Sequence, residues 1–301
     1  MRVLLVGGSG LIGTRLVESL ARDGHQAVVL SRRPEQVRGL PPGARAAAWD
    51  GRTLGSWVDE VAAAEGVVQL AGENIFGRWT KDRKRRIRAS RVDGSRLVAA
   101  AIAAAERRPR VLVQGSAVGY YGDRGDERVT EDTPAGSDFL SGVAREWEAA
   151  SESVEALGVR RPIARTGLVL SRQGGALPLV RRAFLAFVGG PLGRGRQWMP
   201  WIHEADEVGA IRFLLEHPRA TGAYNLTAPE PVTNRTFSRA VGKALGRPSW
   251  LPAPGLALRV ALGELGRVLL EGQRAEPARL LAEGFRFRFA TLESALADLL
   301  G

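Results

Sequence analysis

Residues 3–13 read VLLVGGSGLIG, and this short segment constrains the fold more than any other part of the chain. Its four leading apolar residues predict a buried strand, and the apolar residues at helical spacing that follow predict an amphipathic helix over Ile12–Arg22. Between the two, Gly7 permits a tight turn, Gly10 lets a pyrophosphate approach the backbone, and Gly13 lets the helix lie close to the strand. The segment therefore predicts a dinucleotide site directly after the first strand.

The helix that follows the glycines would complete this site, because its first turn offers unpaired N–H groups and partial positive charge to phosphates. The residues expected to bind the cofactor here are Gly7, Ser9, Gly10, Leu11, Ile12 and Gly13. The alternative is a glycine-rich turn in an α/β protein that binds no nucleotide.

Composition excludes several classes of protein. A chain of 301 residues is long enough for one large or two modest domains. No run of about 18 apolar residues is present, and glycine and serine interrupt the apolar stretch after Arg2, so we expect no membrane partner. The absence of cysteine excludes disulfides and thiolate metal ligands and suits a cytoplasmic protein, and the three scattered histidines suggest no metal site.

The net charge of +11 raises the question of a polyanionic partner. Arginine supplies nearly all of this charge, and the bias resembles a coding preference spread over the surface, so we expect no nucleic-acid partner. One true cluster of basic residues lies between Lys81 and Arg91. Two interpretations of this basic cluster stay open: the solvated face of a helix, or a set from which one or two arginines reach a cofactor phosphate.

Short apolar runs alternate with amphipathic stretches along most of the chain. The expected strands are Val3–Val6, Ala27–Ser31, Val67–Leu70, Val111–Gln114, Ile163–Leu170 and Ala223–Leu226. The expected helices are Ile12–Arg22, Arg83–Glu106, Phe139–Leu157, Asp206–Glu216 and Asn234–Leu245. This alternation predicts an α/β fold, a Rossmann-type doubly wound parallel sheet that binds ligands at the carboxyl edge of its strands.

The end of the second strand bears on the choice of nucleotide. An acidic residue there would bind the ribose 2′-hydroxyl and disfavour a 2′-phosphate, whereas this chain has Ser31, Arg32 and Arg33. Arginine offers planar, paired donors that suit a phosphate, so we predict NADP(H) as the cofactor. The alternative is two exposed arginines before a proline. Asp50, after an expected third strand, is either an acceptor for the adenine amino group or a plain turn residue.

The character of the chain changes after the sixth expected strand, where Gly, Pro and Arg become frequent. We therefore predict an NADP-binding domain over residues 1–170, completed by 203–228, and a smaller C-terminal substrate lobe from 171–202 and 229–301. Residues 191–201 combine arginine with tryptophan. This combination suits an anionic or sugar-like ligand, and equally a surface loop held by its tryptophans.

Several further segments carry a family resemblance. They are residues 70–74 (LAGEN), 116–122 (SAVGYYG), 165–167 (RTG), 201–206 (WIHEAD) and 222–226 (GAYNL). With the glycine pattern, they resemble the extended short-chain dehydrogenases/reductases, and more narrowly an atypical epimerase-like family described as nucleoside-diphosphate sugar epimerases. The region from LEGQR to GFRF near the C-terminus is similar to the small domain of unknown function in that family. The resemblance covers essentially the whole chain.

The resemblance implies a role for each matched segment. The residues that it places beside the cofactor are Leu70, Ala71, Gly72, Glu73, Arg91 and Gly167. Ser116 would be the catalytic-loop serine after the fifth strand. These placements agree with the general rule that ligands bind at the carboxyl ends of parallel strands.

The usual proton-transfer pair of this superfamily is missing. In the superfamily a tyrosine and a lysine one helical turn later act together, but the matching helix here, residues 137–148, contains neither. Tyr120 and Tyr121 lie four and five residues beyond Ser116 and are the substitutes that we expect near a substrate oxygen. The alternative for Tyr121 is that it merely packs where the loop turns.

His203 and Asp206 are a further candidate pair, because their spacing puts both on one face of a helix that starts there. They would act as an acid–base pair or, alternatively, cap the helix. A hydrolase-type Gly-x-Ser-x-Gly turn is not formed around Ser116, since the segment lacks the second glycine.

Two functions remain open on the sequence. The first is an NADP(H)-dependent oxidoreductase or epimerase that acts on a small polar substrate, such as a sugar nucleotide, as a monomer or homodimer. The second is a non-catalytic NADP(H)-binding regulatory or interaction protein, which the missing tyrosine and lysine would explain.

Overall fold

The computed structural model describes all 301 residues of the chain. The strands are β1 (Arg2–Val6), β2 (Gln26–Ser31), β3 (Ala44–Ala48), β4 (Gly66–Gln69), β5 (Val111–Ala117), β6 (Arg128–Val129), β7 (Pro162–Thr166), β8 (Leu168–Leu170), β9 (Trp198–Met199), β10 (Trp201–His203), β11 (Gly222–Leu226), β12 (Val232–Thr233) and β13 (Arg274–Ala275). The α-helices are α1 (Leu11–Arg22), α2 (Trp57–Ala63), α3 (Lys81–Ala104), α4 (Phe139–Ala149), α5 (Leu177–Leu185), α6 (Glu204–Glu216), α7 (Asn234–Leu245), α8 (Gly255–Leu262), α9 (Glu264–Val268), α10 (Ala278–Ala282) and α11 (Leu292–Leu300). Short 3₁₀ helices lie at Pro34–Gln36, Val118–Tyr121 and Glu152–Leu157. None of the α-helices combines the length and the apolar character needed to cross a membrane.

Seven of the strands form one parallel sheet in the order β11-β7-β5-β4-β1-β2-β3. The chain runs outward from β1 to β2 and β3, returns to β4 on the other side of β1, and then continues outward in the opposite direction. The crevice at this reversal lies at the carboxyl ends of β1 and β4, where open α/β sheets bind ligands. The predicted Rossmann-type, doubly wound parallel sheet is confirmed.

Both faces of the sheet are covered by helices because its central strands are apolar on both sides. In β1, Leu5 belongs to a core that contains Leu16 and Leu20 of α1. Leu4, which points to the other face, belongs to a second core that contains Ile102 of α3. All five side chains are fully buried, and each such burial stabilises the fold by about 1.5–3 kcal/mol.

The expected single strand Ile163–Leu170 is wrong, because the chain forms β7 in the main sheet and β8 in a separate two-stranded sheet with β10. The break is at Gly167, whose N–H donates to the Leu226 carbonyl at 3.0 Å. A Cβ at this position would collide with the Pro200 carbonyl oxygen, so only a glycine lets the two backbones pass.

The expected helix Phe139–Leu157 is also wrong in its length, since α4 ends at Ala149 and a separate 3₁₀ helix follows. Its start is capped by Asp138, whose carboxylate accepts from the Ser141 N–H at 3.0 Å. Near its end, the Glu148 carbonyl accepts a hydrogen bond from the Arg161 guanidinium at 2.9 Å. The arginine thus satisfies a carbonyl that a longer helix would have satisfied with its own backbone.

A third core joins elements from both segments of the predicted lobe. Helices α5, α7 and α11 bury Phe184, Phe237 and Leu296 against Trp201. After this core, the C-terminal part of the chain contacts the N-terminal half again, because β13 pairs with β6 in a two-stranded sheet. The division of the chain into the two predicted domains stays a prediction.

Replacing Gly167 with alanine should destabilise the protein, because the new Cβ would meet a backbone carbonyl that cannot rotate away. We expect Gly167→Ala to lower the free energy of unfolding by about 1–3 kcal/mol, measured by urea denaturation. Gly142→Ala is the matched control, since a Cβ at that position of α4 would have no atom within 4 Å, and helix propensity favours alanine by about 1 kcal/mol. Equal changes in the two variants would contradict this account.

Candidate functional site

A cleft of about 930 Å³ lies at the carboxyl ends of the strands around β1. It is lined by the turn between β1 and α1, the end of β2, the turn after β3, the loop after β4 and one face of α3. The lining residues are Gly7, Ser9, Gly10, Leu30, Ser31, Arg32, Arg33, Trp49, Asp50, Gly51, Arg52, Leu70, Ala71, Gly72, Glu73, Asn74, Ala89, Ser90 and Gly94. Only five of these 19 residues are hydrophobic, so the cleft suits a large polar ligand.

The glycine turn leaves one end of the cleft free of side chains. Gly7 has a φ of +88°, and a Cβ there would lie 2.7 Å from the Ala71 backbone nitrogen. A Cβ at Gly13 would collide with the Gly7 carbonyl oxygen, so α1 can begin this close to β1 only with glycine. The N-cap of α1 is Gly10, which provides no side-chain cap, and the first turn holds no acidic residue. The first N–H groups of α1 are therefore available to an anion.

The end of β2 presents two cations. Arg32 and Arg33 are exposed and lie in no ion pair. The Ser31 hydroxyl accepts from the Arg33 N–H at 3.1 Å, which fixes the turn. A second cavity of about 280 Å³ adjoins the cleft here and shares Ser9, Ser31 and Arg33 with it. This corner has room and positive charge for a phosphate group.

Asp50 lines the cleft, but both of its carboxylate oxygens already have partners. Oδ1 accepts from the backbone N–H groups of Arg52 and Thr53 at 2.8 and 2.9 Å, and Oδ2 accepts from the Thr53 hydroxyl at 2.6 Å. These hydrogen bonds, the Thr53 hydroxyl first, lower the pKa of Asp50 to about 2. Asp50 therefore shapes the turn after β3 in addition to facing the cleft.

The loop after β4 is held by Arg91 of α3. Its guanidinium donates to the Glu73 carbonyl at 3.0 Å and lies against Gly72, where a Cβ would be 3.0 Å from Cζ. The Glu73 N–H donates to the Ser90 hydroxyl at 2.9 Å. Burial lowers the pKa of Arg91 to about 10. Arg91 thus stands behind the loop and fixes the wall of the cleft.

Other members of the basic cluster form hydrogen bonds and ion pairs within the protein. Arg83 donates to the carbonyls of Asn74 and Phe76, both at 2.7 Å, and so closes the loop after β4. Lys84 pairs with Glu264 of α9. The cluster is therefore more than a solvated helix face, because it joins this loop to the C-terminal part of the chain.

Ser116 lies at the end of β5 inside a buried polar network. Its side chain is only 4% exposed, and its hydroxyl donates to Glu148 Oε1 at 2.6 Å. Glu148 in turn forms a two-bond pair with Arg165 of β7, both bonds at 2.9 Å. Such bidentate pairs are among the strongest charge-assisted hydrogen bonds, so the Ser116 hydroxyl has a fixed orientation.

The two tyrosines differ in their surroundings. The Tyr121 hydroxyl donates to Asn225 Oδ1 at 2.6 Å and accepts from Arg165 Nη1 at 2.9 Å. Burial raises the pKa of Tyr121 to about 12. Tyr120 is half-buried, its ring stacks with the Arg165 guanidinium 3.6 Å from the ring centre, and its hydroxyl forms no hydrogen bond within the protein.

His203 and Asp206 do not form a pair with each other. His203 Nδ1 accepts from the Ala205 N–H at 3.0 Å and so caps α6, which begins at Glu204 rather than at Asp206. The Asp206 carboxylate instead accepts from two backbone N–H groups of the C-terminal segment, at 2.7 and 2.9 Å. Burial lowers the pKa of His203 below its usual value. Both residues therefore have structural partners.

The structure brings most of the predicted cofactor residues to the cleft. Those that line it are Gly7, Ser9, Gly10, Ser31, Arg32, Arg33, Asp50, Leu70, Ala71, Gly72 and Glu73. Those that lie behind or beyond its walls are Leu11, Ile12, Gly13, Arg91 and Gly167, and the predicted catalytic residues Ser116, Tyr120 and Tyr121 also lie there. Lining residues that were not among the predicted site residues are Leu30, Trp49, Gly51, Arg52, Asn74, Ala89, Ser90 and Gly94. Most of these adjoin a predicted residue, and that adjacency was the available signal.

Residues 3–227 match the NAD dependent epimerase/dehydratase family, and residues 253–299 match a domain of unknown function, DUF1731. The chain belongs to the NAD dependent epimerase/dehydratase family. The resemblance to epimerase-like short-chain dehydrogenases/reductases with a small C-terminal domain is confirmed.

Relatives match the chain over its whole length. The epimerase family protein YfhF of Bacillus subtilis is 38% identical over 308 residues, covering 100% of this chain and 98% of that protein. The crystal structure of the human epimerase family protein SDR39U1 with NADPH has a TM-score of 0.87 at 34% identity, covering 100% of this chain and 99% of that one. MoeE5 in complex with UDP-glucose and NAD has a TM-score of 0.81 at 20% identity, covering 100% and 97%, a likeness of fold alone.

A buried carboxyl group lies behind the end of β7, next to the break at Gly167. Glu207 of α6 is fully buried and accepts from the Thr166 hydroxyl at 2.7 Å, while its second carboxyl oxygen has no partner. Burial raises the pKa of Glu207 to about 8. The folded protein therefore keeps a proton that the unfolded chain releases above about pH 4.3, so stability falls as the pH rises toward 8.

Glu207→Gln removes this titration and retains an acceptor for Thr166. We expect the variant to exceed the wild type in free energy of unfolding by about 3 kcal/mol at pH 8 and to differ little at pH 5, measured by urea denaturation. Glu230→Gln, at an exposed position, is the control and should be neutral at both values. A pH-independent difference would show that Glu207 does not hold the proton.

Proposed function

We propose that this protein is an NADP(H)-dependent oxidoreductase or epimerase that acts on a small polar substrate, such as a sugar nucleotide. The observation that carries the proposal is the glycine-walled cleft at the reversal of the sheet, with the free N-terminus of α1 at one end and two unpaired arginines at the other. Membership of the NAD dependent epimerase/dehydratase family supports it.

The residues present fit the cofactor at each part of the cleft. The turn from Gly7 to Gly13 would hold the pyrophosphate, because α1 starts there with no side-chain cap and no acidic residue in its first turn. Arg32 and Arg33 would bind the 2′-phosphate, which the human relative crystallised with NADPH also supports. The loop from Leu70 to Glu73, which Arg91 fixes, would carry the ribose next to the nicotinamide.

Tyr120, which lies just after β5 and beyond the walls of the cleft, would transfer the proton. When bound, the nicotinamide would exchange a hydride with a substrate carbon, and the chain must then give or take a proton at the neighbouring oxygen. Tyr120 has a free hydroxyl and a cation against its ring, whereas the hydroxyls of Ser116 and Tyr121 are committed to Glu148 and Asn225. Ser116 and Tyr121 would then position the Arg165 network on which Tyr120 rests.

A second function is favoured by the same network. The hydroxyls of Ser116 and Tyr121 are buried and bonded, and the usual tyrosine and lysine are absent from residues 137–148. A protein that binds NADPH tightly and turns over no substrate would have this arrangement. It would act as an NADP(H)-responsive regulatory or interaction protein.

The cofactor assignment is tested by the pair Arg32→Gln and Arg33→Gln. Loss of two cations at the 2′-phosphate should weaken NADPH binding about 100-fold and leave NADH binding within about twofold, measured by quenching of protein fluorescence. The control is Arg107→Gln with Arg108→Gln, an equal change of charge at an exposed site outside the cleft. Equal losses for both nucleotides would contradict an NADP-specific corner.

The catalytic assignment is tested by Tyr120→Phe after a substrate has been found by NADPH absorbance in a panel of carbonyl compounds and sugar nucleotides. Loss of the phenol should lower kcat about 10²- to 10⁴-fold while NADPH affinity stays unchanged. Tyr121→Phe should lower kcat far less than Tyr120→Phe but lose about 1–3 kcal/mol of stability, because two buried partners lose their hydrogen bond. Tight NADPH binding without turnover across the panel would support the regulatory function instead.

A further inference from the structure

The net positive charge of the chain arises from two segments, residues 171–203 and 231–263. Together they hold ten of the cations that make up the net charge of +11 and contain no Asp or Glu, which leaves the rest of the chain nearly neutral. The cations are Arg172, Arg181, Arg182, Arg194, Arg196, Arg235, Arg239, Lys243, Arg247 and Arg259. Lys and Arg are about as dense here as elsewhere, with ten of the 43 in 66 of the 301 residues, so the segments are basic because they lack Asp and Glu. We call these two segments the basic lobe.

None of the ten cations of the basic lobe lies within ion-pair distance of a carboxylate. Nine of them are exposed, and the tenth, Arg247, stacks on the ring of Phe187 at 4.7 Å. Uncompensated like charges repel one another and destabilise a fold. Their presence on one part of the molecule therefore points to an anionic partner.

Large apolar side chains are exposed on the same lobe and form what we call the apolar ridge. Its members are Phe187, Val188, Trp250, Leu251, Leu256 and Val260, between 43% and 75% exposed. The two stretches that carry them run side by side, because the Gly193 N–H donates to the Ala253 carbonyl at 2.8 Å and the Ala253 N–H to the Pro191 carbonyl at 2.9 Å. The exposed apolar side chains of the ridge thus lie on two stretches whose backbones are hydrogen-bonded to each other, and exposed apolar patches mark interaction sites.

Helix α8 forms the most apolar part of the ridge. Six of its eight residues are apolar, Arg259 is its only charge, and none of the eight is buried. A helix of this composition normally buries one face in the protein. Here the side that bears Leu256 and Val260 faces outward, at 75% and 71% exposure.

The backbone conformation of Phe187 is independent evidence that the ridge is functional. It has a φ of +62°, the only such value at a residue other than glycine. It occupies the position after α5 that glycine usually takes, with the Val188 N–H bonded to the Ala183 carbonyl and the Phe187 N–H to that of Phe184. An aromatic residue is strained in this conformation, and its ring remains 56% exposed, so burial does not offset the strain.

We propose that the apolar ridge and the surrounding cations of the basic lobe dock on an anionic phospholipid surface. Apolar and aromatic side chains that enter the headgroup boundary, together with arginines that pair with lipid phosphates, are the combination that peripheral membrane binding uses. A second copy of the chain fits less well, because a two-fold contact would bring the cations of both copies together. Nucleic acid would satisfy the arginines but not the exposed Trp250 and Leu256.

The test is flotation of the full chain with vesicles of phosphatidylcholine that contain phosphatidylglycerol, compared with phosphatidylcholine alone. We expect binding to the anionic vesicles only. The double variant Leu256→Ser with Val260→Ser should lower the partition coefficient at least about tenfold. The double variant Arg181→Gln with Arg182→Gln should lower it about fivefold for each charge removed. The matched controls, Leu54→Ser and Arg107→Gln with Arg108→Gln, replace exposed side chains outside the lobe and should bind as the wild type does.

The variant Phe187→Gly tests whether a loss of vesicle binding can occur without a loss of stability. Glycine relieves the backbone strain, so this variant should keep or raise the Tm and keep NADPH binding, yet lose affinity for the vesicles. Brominated lipids should quench tryptophan fluorescence in the wild type and much less in Trp250→Phe. The proposal is overturned if the wild type does not bind anionic vesicles, or if the lobe variants and the control variants lose equal affinity. It is also overturned if the protein binds DNA or polyglutamate but no vesicles.

Discussion

The close approach of two backbones at Gly7 is the constraint from which the candidate site follows. A Cβ there would lie 2.7 Å from the Ala71 nitrogen, so the turn after β1 and the end of β4 meet without a side chain between them. The contact lies where β1 and β4 pair at the reversal of the sheet, and Gly13 lets α1 start from the same point. The cleft therefore exists because three short backbone segments converge where no side chain fills the space.

The buried pair of Glu148 and Arg165 has a comparable role on the other side of β4. Removing one partner of such a pair typically costs about 3–5 kcal/mol, because the remaining charge stays buried. The pair holds the Ser116 hydroxyl, and Arg165 contacts both Tyr121 and Tyr120. Where related enzymes place a tyrosine and a lysine on one helix, this chain has a network that spans α4, β5 and β7. Proton transfer near Ser116 would therefore depend on residues of this network or on residues in contact with it.

The fold was accessible from the sequence wherever the signal is local. The first strand, glycine turn and helix lie within about 20 residues, and their pattern has one physical interpretation. The break at Gly167 depends on Pro200, and the partners of Ser116 and Tyr121 lie 32 and 104 residues away, so no local pattern could reveal them. The basic lobe has a different reason: its Lys and Arg are about as dense as elsewhere, and a net charge taken over the whole chain hides two segments that contain no Asp or Glu.

The two halves of the molecule meet at the loop that closes the cleft. Leu265 of α9 is buried against Trp79 and Ile87, and Lys84 pairs with Glu264, so α9, which directly follows the basic lobe, rests on the loop after β4 and the start of α3. Arg83 and Arg91 hold the same loop from beneath. A surface that fixed the basic lobe would therefore act on a wall of the candidate cofactor cleft through direct packing, since Leu262 of α8 and Leu265 of α9 both pack in the cluster of Trp79 and Ile87.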